Sequence, residues 1–161
     1  MYRKKGILEN EFLNSGIKIY QLKVSKNIVR YIIKLRQLLK ENDVSIVHAQ
    51  QPIDALYAYL ACLFSTKKVV LTFHGYDFKE PLISKFLLKF IIKRTDLNAF
   101  VSDSQRNYYT KKYNLNLLKQ VTVYNGISFE KLISYNYSDV RKVLEVDEKT
   151  LLLGTVGNFV P

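Results

Sequence analysis

The stretch that decides the fold reads Val69-Val70-Leu71-Thr72-Phe73-His74-Gly75-Tyr76-Asp77. Its first five residues are of the kind that forms a buried strand, and they run straight into a His-Gly pair followed by a carboxylate. In open parallel sheets, ligands bind outside the carboxyl ends of the strands, and a glycine there lets a ligand approach the backbone. The stretch therefore predicts a site at the end of a strand, but by itself it specifies no reaction.

Strand and helix signals alternate on both sides of this stretch. Period-two or β-branched runs predict strands, and apolar stripes with helical spacing predict the helices between them. We expect strands over residues 17–24, 44–49, 69–73, 98–102 and 120–124, and helices over residues 1–14, 27–40, 52–64, 81–94 and 104–113. Because such alternation is typical of βαβ units with right-handed crossovers, we predict an α/β fold with a doubly wound parallel sheet.

Local capping and turn signals add detail to this outline. Asp103 or Ser104 is the expected N-cap of the last of these helices, and the dipeptide Asn125-Gly126 is expected to form a left-handed turn after the last strand. Ser102 and Ser104 can each be explained by helix capping alone.

Length and composition bound the class of protein. The 161 residues, 48% of them hydrophobic, suit one domain of ordinary size with its own core. The single cysteine, Cys62, lies in an apolar run and is interpreted as a packed side chain in a reducing compartment. No signal-peptide pattern and no apolar run approaching the ~18 residues of a membrane span is visible, so we expect a cytoplasmic protein.

The net charge of the chain favours some classes of binding partner over others. Lys and Arg total 25 against 14 Asp and Glu, a net charge of +11 that favours phosphorylated metabolites, anionic lipid surfaces or nucleic acid. The basic residues are scattered and lack the aromatic-basic repeats of single-strand binders, so nucleic acid ranks below the other two. In the helix predicted over residues 81–94, Lys85, Lys89 and Lys93 recur at four-residue spacing. This pattern fits a face that lies on an anionic membrane, although a core helix with one solvated lysine edge is the preferred interpretation.

The predicted elements at both ends of the chain suggest incomplete domains. A helix precedes the first predicted strand, and an apolar strand predicted over residues 150–157 is followed by only four residues. We therefore expect a main domain over residues 1–136, an interdomain connection over residues 137–149, and the first strand of a second domain over residues 150–161.

Five blocks in the order of the predicted strands carry a family resemblance. They are Asp43-Val44-Ser45-Ile46-Val47-His48-Ala49, Thr72-Phe73-His74-Gly75-Tyr76-Asp77, Val101-Ser102-Asp103-Ser104, Val121-Thr122-Val123-Tyr124-Asn125-Gly126-Ile127 and Gly154-Thr155-Val156-Gly157-Asn158. Together they resemble the amino-terminal half of a family 4 glycosyltransferase. Nucleotide-sugar epimerases share the fold, but their motifs fit these blocks less well.

The resemblance implies one half of a GT-B architecture, in which two Rossmann-like domains face each other across a cleft. In that family the amino-terminal domain receives a glycan or lipid-linked acceptor, and the other domain binds the nucleotide-sugar donor through a basic pair and two glutamates. Transfer is typically retaining and independent of metals, so the resemblance implies no metal or other cofactor.

The same resemblance assigns roles to individual residues. His74 is the implied catalytic residue beside the transferred sugar, and the implied substrate-binding residues are Gly75, Asp77, Ser102, Asn125 and Gly126. Two positions depart from the family pattern, because Ser128 replaces its usual acid and Gln50 stands where many relatives have a second histidine after His48. From the residues alone, His48 is better explained as a packing histidine, and Asn125-Gly126 as a turn.

The sequence lacks two features that the resemblance leads us to expect. These are the first strand with its glycine-rich diphosphate loop, and the basic pair with its Glu-x7-Glu motif. We therefore expect a fragment without transferase activity of its own. The competing hypothesis is a non-catalytic α/β module that docks on a membrane or partner protein. Self-association through an exposed strand edge is a further expectation.

Overall fold

The computed structural model describes residues 9–22, 27–76, 82–127, 129 and 140–154, which fall into two compact units, residues 1–125 and 126–161. The elements of the first unit are α1 (Glu9–Asn14), α2 (Ile28–Glu41), β1 (Ile46–Ala49), α3 (Pro52–Cys62), β2 (Lys68–Phe73), α4 (Leu82–Arg94), β3 (Leu97–Phe100), α5 (Asp103–Tyr113), a 3-10 helix (Leu117–Lys119) and β4 (Gln120–Thr122). In the second unit the described residues include one helix of four residues, α6 (Val140–Val143).

The four strands form one parallel sheet in the order β1-β2-β3-β4. Ala49 lies opposite Leu71, and Phe73 lies opposite Phe100, so the carboxyl ends of neighbouring strands meet at the same edge. A helix connects each strand to the next, as right-handed parallel crossovers require. The predicted Rossmann-like α/β class is confirmed.

The two faces of the sheet carry different residues. Ala49, Leu71, Phe73 and Phe100 point to the face where they pack with buried residues of α4 and α5. Because successive side chains of a strand point to opposite faces, His48 and Thr72 share the other face. Polar groups can therefore come together on one face at the end of strands whose other face is in the core.

A second core cluster holds α2 against α3. The buried stripe of α2 is Tyr31, Leu35 and Leu39, at the four-residue spacing that places side chains on one helical face. Cys62 of α3 packs in this cluster, and burial raises the pKa of its thiol above the usual value, although Lys67 and Arg36 oppose the shift. Among the described helices, none is long and apolar enough to cross a bilayer.

The strand predicted over residues 17–24 is wrong for its described part. Residues 17–22 contain only one bridge residue, Gln21, and residues 23–26 lie outside the described residues. The hydroxyl of Tyr20 donates to the side-chain oxygen of Asn42 at the end of α2. The alternating sequence therefore lies against the end of a helix, and alternation alone did not distinguish this from a place in the sheet.

Two local expectations also need correction. The N-cap of α5 is Ser102 instead of Asp103 or Ser104, since the Ser102 hydroxyl accepts from the backbone N–H of Gln105 at 3.2 Å. After β4 the chain makes no left-handed turn at Asn125-Gly126, because neither residue has a positive φ. The N–H of Val123 instead donates to the carbonyl of Phe100 at 2.8 Å, so the chain continues along β3 beyond the end of β4.

The second unit has its own small hydrogen-bond network. Arg141 donates to the carbonyl oxygens of Asp147 and Thr150, each at 2.8 Å. Thr150 donates through its hydroxyl and its N–H to one carboxylate oxygen of Asp147, which lowers the pKa of Asp147. Residues 151–154 form no strand, and the remainder of the strand expected over residues 150–157 lies outside the described residues.

A buried asparagine joins the end of α4 to the start of β3 and gives a test of the fold. Asn98 is fully buried, donates to the carbonyl of Ile92 at 2.9 Å and accepts from the Thr95 hydroxyl at 2.8 Å. Asn98→Ala removes both hydrogen bonds and leaves the Thr95 hydroxyl only its longer 3.3 Å contact with the Ile92 carbonyl, so we expect it to lower the free energy of unfolding by about 1–3 kcal/mol in urea denaturation. The matched variant Asn107→Ala, at an exposed position of α5, should change it by no more than about 0.5 kcal/mol. Equal effects of the two changes would contradict this assignment.

Candidate functional site

A pocket of about 380 Å³ opens where β1 and β2 end. His74 follows β2 directly, Gln50 follows β1 directly, and the first turn of α3 forms a third side. The described residues that line the pocket are Gln50, Gln51, Pro52, Ile53, Leu56, Thr72, Phe73, His74, Gly75, Tyr76, Ser84, Leu87, Leu88 and Tyr109. The pocket therefore lies at the strand ends where the sequence predicted a site.

The lining combines a larger apolar surface with several polar groups and is almost free of formal charge. None of the described lining residues is Asp, Glu, Lys or Arg, and its polar groups are amides, hydroxyls and one imidazole. Amides and hydroxyls both donate and accept hydrogen bonds, so they match ligands that carry neutral hydroxyl groups. Asp77, the carboxylate that the sequence placed near this pocket, lies outside the described residues.

Two histidines are joined through one glutamine. His74 Nε2 lies 2.7 Å from Gln50 Oε1, and the Gln50 side-chain nitrogen lies 3.3 Å from His48 Nε2. His48 Nε2 also lies 2.7 Å from the hydroxyl oxygen of Thr72. Because Ala49 is opposite Leu71, Gln50 follows at the level of Thr72, and the parallel register explains why these side chains meet.

The backbone after His74 is held by α5. Gln105 donates from its side-chain nitrogen to the Gly75 carbonyl at 2.8 Å and accepts at its side-chain oxygen from the Val101 N–H at 3.1 Å. Tyr109 adds a second, longer donation to the same carbonyl at 3.3 Å. Gln105 is buried, and both ends of its amide are used, so its orientation is determined. A Cβ at Gly75 would meet no described atom within 4 Å, which leaves open space beside this anchored loop.

Aromatic rings stand next to the same loop. The Tyr76 ring meets the Tyr108 ring edge-on at 5.2 Å between centroids and stacks on Tyr109 at 6.3 Å. Tyr76 remains partly exposed, so an amphipathic ring face borders the pocket.

A carboxylate ties the start of α5 to the end of β4. Asp103 accepts from the Thr122 hydroxyl at 2.6 Å and from the Tyr124 hydroxyl at 2.5 Å, and it pairs with Arg106 at 3.2 Å. These two hydrogen bonds lower the pKa of Asp103, and the hydrogen bond to the carboxylate raises the pKa of Tyr124. The segment that leads to Asn125 is therefore fixed to the helix that Ser102 caps.

The predicted site residues do not all meet. His74 and Gly75 line the pocket, and the Ser102 hydroxyl is engaged in capping α5. Asn125 is exposed beyond β4 and is absent from the described lining, and Gly126 belongs to the second unit.

Sequence reasoning missed the partners that hold the loop and the imidazoles. Gln105 and Tyr109 lie one helical turn apart on α5, and this i, i+4 spacing after a strand was the available signal. Gln50 was noted only as a departure from the family pattern. Among the described residues, no three His, Cys, Asp or Glu side chains come together as metal ligands would.

The outer face of α4 differs from the preferred sequence interpretation. Leu88, Ile91 and Ile92 are buried, but Ile83 is 77% exposed and Phe86 is 72% exposed. α4 therefore packs in the core as preferred, but the expectation that lysines alone form its solvated edge is wrong. Lys89 and Lys93 border a shallow groove of about 260 Å³ together with Phe86, Phe90 and Arg94, so cations and exposed aromatic rings share this face.

The fold and the pocket define the class of protein. A parallel sheet whose consecutive strands are joined by helices is a Rossmann-like domain, and it superposes on GT-B glycosyltransferases. The sequence model of Glycosyltransferase Family 4 matches residues 12–131, and the chain belongs to this family.

Solved structures agree on the fold. A glycosyltransferase from Rickettsia africae ESF-5 superposes with a TM-score of 0.64 at 20% identity, with 90% of this chain and 40% of that chain covered. HepE from Anabaena, solved in complex with UDP-glucose, superposes with a TM-score of 0.66 at 12% identity over 88% of this chain and 40% of that chain.

An epimerase shares the same fold. The UDP-N-acetylglucosamine 2-epimerase from Rickettsia bellii matches with a TM-score of 0.52 at 16% identity, and 87% of this chain and 40% of that chain are covered. The chain thus spans 40% of the length of each of these structures. A search of curated protein sequences found no match.

The contact between Asp103 and Tyr124 predicts a site-specific titration. The carboxylate accepts a hydrogen bond from the phenol and repels the phenolate, so Tyr124 should ionise at higher pH than an ordinary tyrosine. Asp103→Ala should shift this ionisation to lower pH, as followed by NMR of ring-labelled tyrosine. Asp96→Ala, at the amino end of β3, is the control and should leave Tyr124 unchanged. A Tyr124 titration that is the same in the wild type and in Asp103→Ala would contradict the contact.

Proposed function

We propose that this chain supplies the acceptor-side domain of a retaining glycosyltransferase. The enzyme would transfer a sugar from a nucleotide-sugar to a polysaccharide or a lipid-linked acceptor. Membership of Glycosyltransferase Family 4 supports a role in sugar transfer. The observation that carries the finer proposal is the uncharged pocket beside His74 at the end of β2.

The chemistry of the pocket favours a sugar over a diphosphate. A diphosphate needs cationic side chains or an array of backbone N–H donors to stabilise its charge. The described lining offers amides, hydroxyls, an imidazole and ring faces instead. These groups suit the hydroxyls and the apolar face of a hexose, so we assign the diphosphate to a different part of the enzyme.

The residue roles follow from this assignment. His74 would bind hydroxyls of the transferred sugar, and Gly75 would let the sugar approach the loop that Gln105 anchors. Asp77, Ser102, Asn125 and Gly126 remain predicted substrate contacts. Ser102 could make such a contact only in addition to its capping bond.

Donor binding would require a second domain. HepE was solved with UDP-glucose, and this chain spans 40% of that structure. We propose that residues 137–149 are the connection to a donor-binding domain and that residues 150–161 are its first strand. The nucleotide-sugar would then be a partner of the longer assembly, and we expect no turnover by these 161 residues alone.

Ligand titrations test this proposal. We expect saturation-transfer NMR to detect weak binding of a neutral hexose, with Kd of about 1 mM or higher, because few hydrogen bonds are made. His74→Ala should weaken the binding about tenfold, the effect of losing roughly one hydrogen bond to the sugar. Asn107→Ala is the control for a change on the exposed surface.

Calorimetry with UDP and UDP-glucose covers the donor side of the same proposal. No saturable heat is expected, because the described pocket has no cationic side chain. Saturable binding of UDP that is lost in His74→Ala would contradict the assignment of the diphosphate to another domain.

A second candidate function rests on the outer face of α4. We propose that this face binds an anionic membrane, which would place the protein peripherally on the inner face of the plasma membrane. Phe86 and Ile83 would enter the lipid while Lys85, Lys89 and Lys93 remain at the headgroups, as in interfacial helices. The same face would serve either a glycosyltransferase with a lipid-linked acceptor or a non-catalytic module that docks on a membrane or partner. β1 and β4 are the outer strands of the described sheet, so self-association through a sheet edge also remains a prediction.

Vesicle co-sedimentation tests the membrane face. We expect binding to phosphatidylglycerol vesicles and little binding to phosphatidylcholine vesicles. The double change Lys89→Gln and Lys93→Gln should weaken binding about 30-fold, since each basic residue near the surface contributes about 1 kcal/mol. The control double change, Lys34→Gln and Lys111→Gln, alters the net charge equally at exposed positions of α2 and α5. The same loss in both double variants would show a non-specific charge effect and rule out this face.

A further inference from the structure

We propose that Gln50 is a positioning residue that fixes complementary proton positions on His48 and His74. Its amide lies between the two rings, with the oxygen 2.7 Å from His74 Nε2 and the nitrogen 3.3 Å from His48 Nε2. The two ends of an amide differ chemically, because the oxygen only accepts and the NH₂ group only donates. One side chain therefore imposes opposite requirements on two imidazoles.

The requirement on His74 is a proton at Nε2. A carbonyl oxygen has no hydrogen to give, so the 2.7 Å contact needs His74 Nε2–H as the donor. In the neutral ring this leaves a lone pair on Nδ1, because the hydrogen bond made by one ring nitrogen sets the state of the other. His74 can then accept a hydrogen bond from a ligand hydroxyl through Nδ1.

The requirement on His48 is the reverse. The Gln50 NH₂ group donates towards His48 Nε2, so this nitrogen must accept and the neutral ring carries its proton on Nδ1. In this arrangement the Thr72 hydroxyl, 2.7 Å from the same nitrogen, is a second donor and shares its single lone pair with the Gln50 NH₂ group. Thr72 is buried, so the end of the network farthest from His74 is held within the sheet.

The network also explains what a third imidazole, in place of Gln50, would change. An imidazole at position 50 could exchange protons with its neighbours, whereas the Gln50 amide cannot take up or release a proton at these positions. A carboxylate would accept at both ends and would require both histidines to donate. Gln50 thus holds two different tautomers without adding a charge to the pocket. The benefit to sugar binding rests on the function proposed above, but the proton positions themselves do not.

Nitrogen NMR tests the proposal directly, because the chain has only 2 histidines. Two-bond ¹⁵N–¹H correlation spectra distinguish Nδ1–H from Nε2–H rings, and His74→Ala assigns the two sets of signals. At alkaline pH, where the nitrogen shifts themselves verify that both rings are neutral, we expect His48 as the Nδ1–H form and His74 as the Nε2–H form. The same tautomer in both rings of the wild-type protein would overturn the proposal.

Two variants separate the two ends of the amide. Gln50→Glu should convert His48 to the Nε2–H form and leave His74 unchanged, because a carboxylate accepts from both rings. Gln50→Leu removes the acceptor of the His74 Nε2–H. The nitrogen chemical shifts of His74 should then move towards the values of a free imidazole, which averages over its two tautomers. Gln51→Leu, which alters a neighbour that lines the same pocket, should change neither ring.

The outcomes remain decisive if one variant fails to fold. An unchanged His48 tautomer in a folded Gln50→Glu protein is sufficient to reject the proposal, and a converted one supports it. No sugar is needed for this measurement. Failure to bind hexoses would therefore count against the proposed function and leave the proton positions to be judged by NMR.

Discussion

The site depends on the pairing of β2 along both of its edges. β2 lies between β1 and β3, and its buried backbone groups must find partners in these two strands. A slip of one residue would move Leu71 and Phe73 out of the core and bring Thr72 into it, so burial specifies a single register. This register places the residue after β1 beside the last residues of β2. The contact between Gln50 and His74 is thus a consequence of how the core is packed.

The parts of the fold that sequence predicts well are those where one signal dominates. β2 is recognised from its β-branched and apolar residues, among which Thr72 is polar, and the stripe of α2 repeats at helical spacing. Residues 17–22 show the opposite case. Their alternation meets the pattern for a strand, but the Tyr20 hydroxyl binds the end of α2, and local pattern contains no information about such a tertiary partner.

The candidate site also has one part that the sequence predicts and another part that it does not. The position of His74 and Gly75 follows from where a strand ends, so it could be predicted. The hydrogen bonds of Gln50 and Gln105 depend on register and side-chain rotamers across elements distant in sequence, and they could not. The prediction of a left-handed turn at Asn125-Gly126 was wrong for a related reason. The dipeptide favours a turn locally, but the hydrogen bond from Val123 to Phe100 keeps the chain along the sheet.

The cationic side chains of α4 and the uncharged pocket are different parts of this molecule. The net charge of +11 suggested an anionic partner, yet the described lining of the pocket has no cationic side chain. Basic residues instead share the outer face of α4 with exposed aromatic rings. Net charge alone therefore did not predict the composition of the pocket.

The fold cannot decide between the reactions that use it. A glycosyltransferase and an epimerase both superpose on this chain, so the distinction must come from side chains at the strand ends. Here those side chains are held by neutral groups: an amide at His74, and another amide with a tyrosine hydroxyl at the Gly75 carbonyl. Neutral partners orient an imidazole without placing a formal charge beside it. The arrangement therefore suits a histidine that recognises hydroxyl groups, because an uncharged ring can donate at one nitrogen and accept at the other.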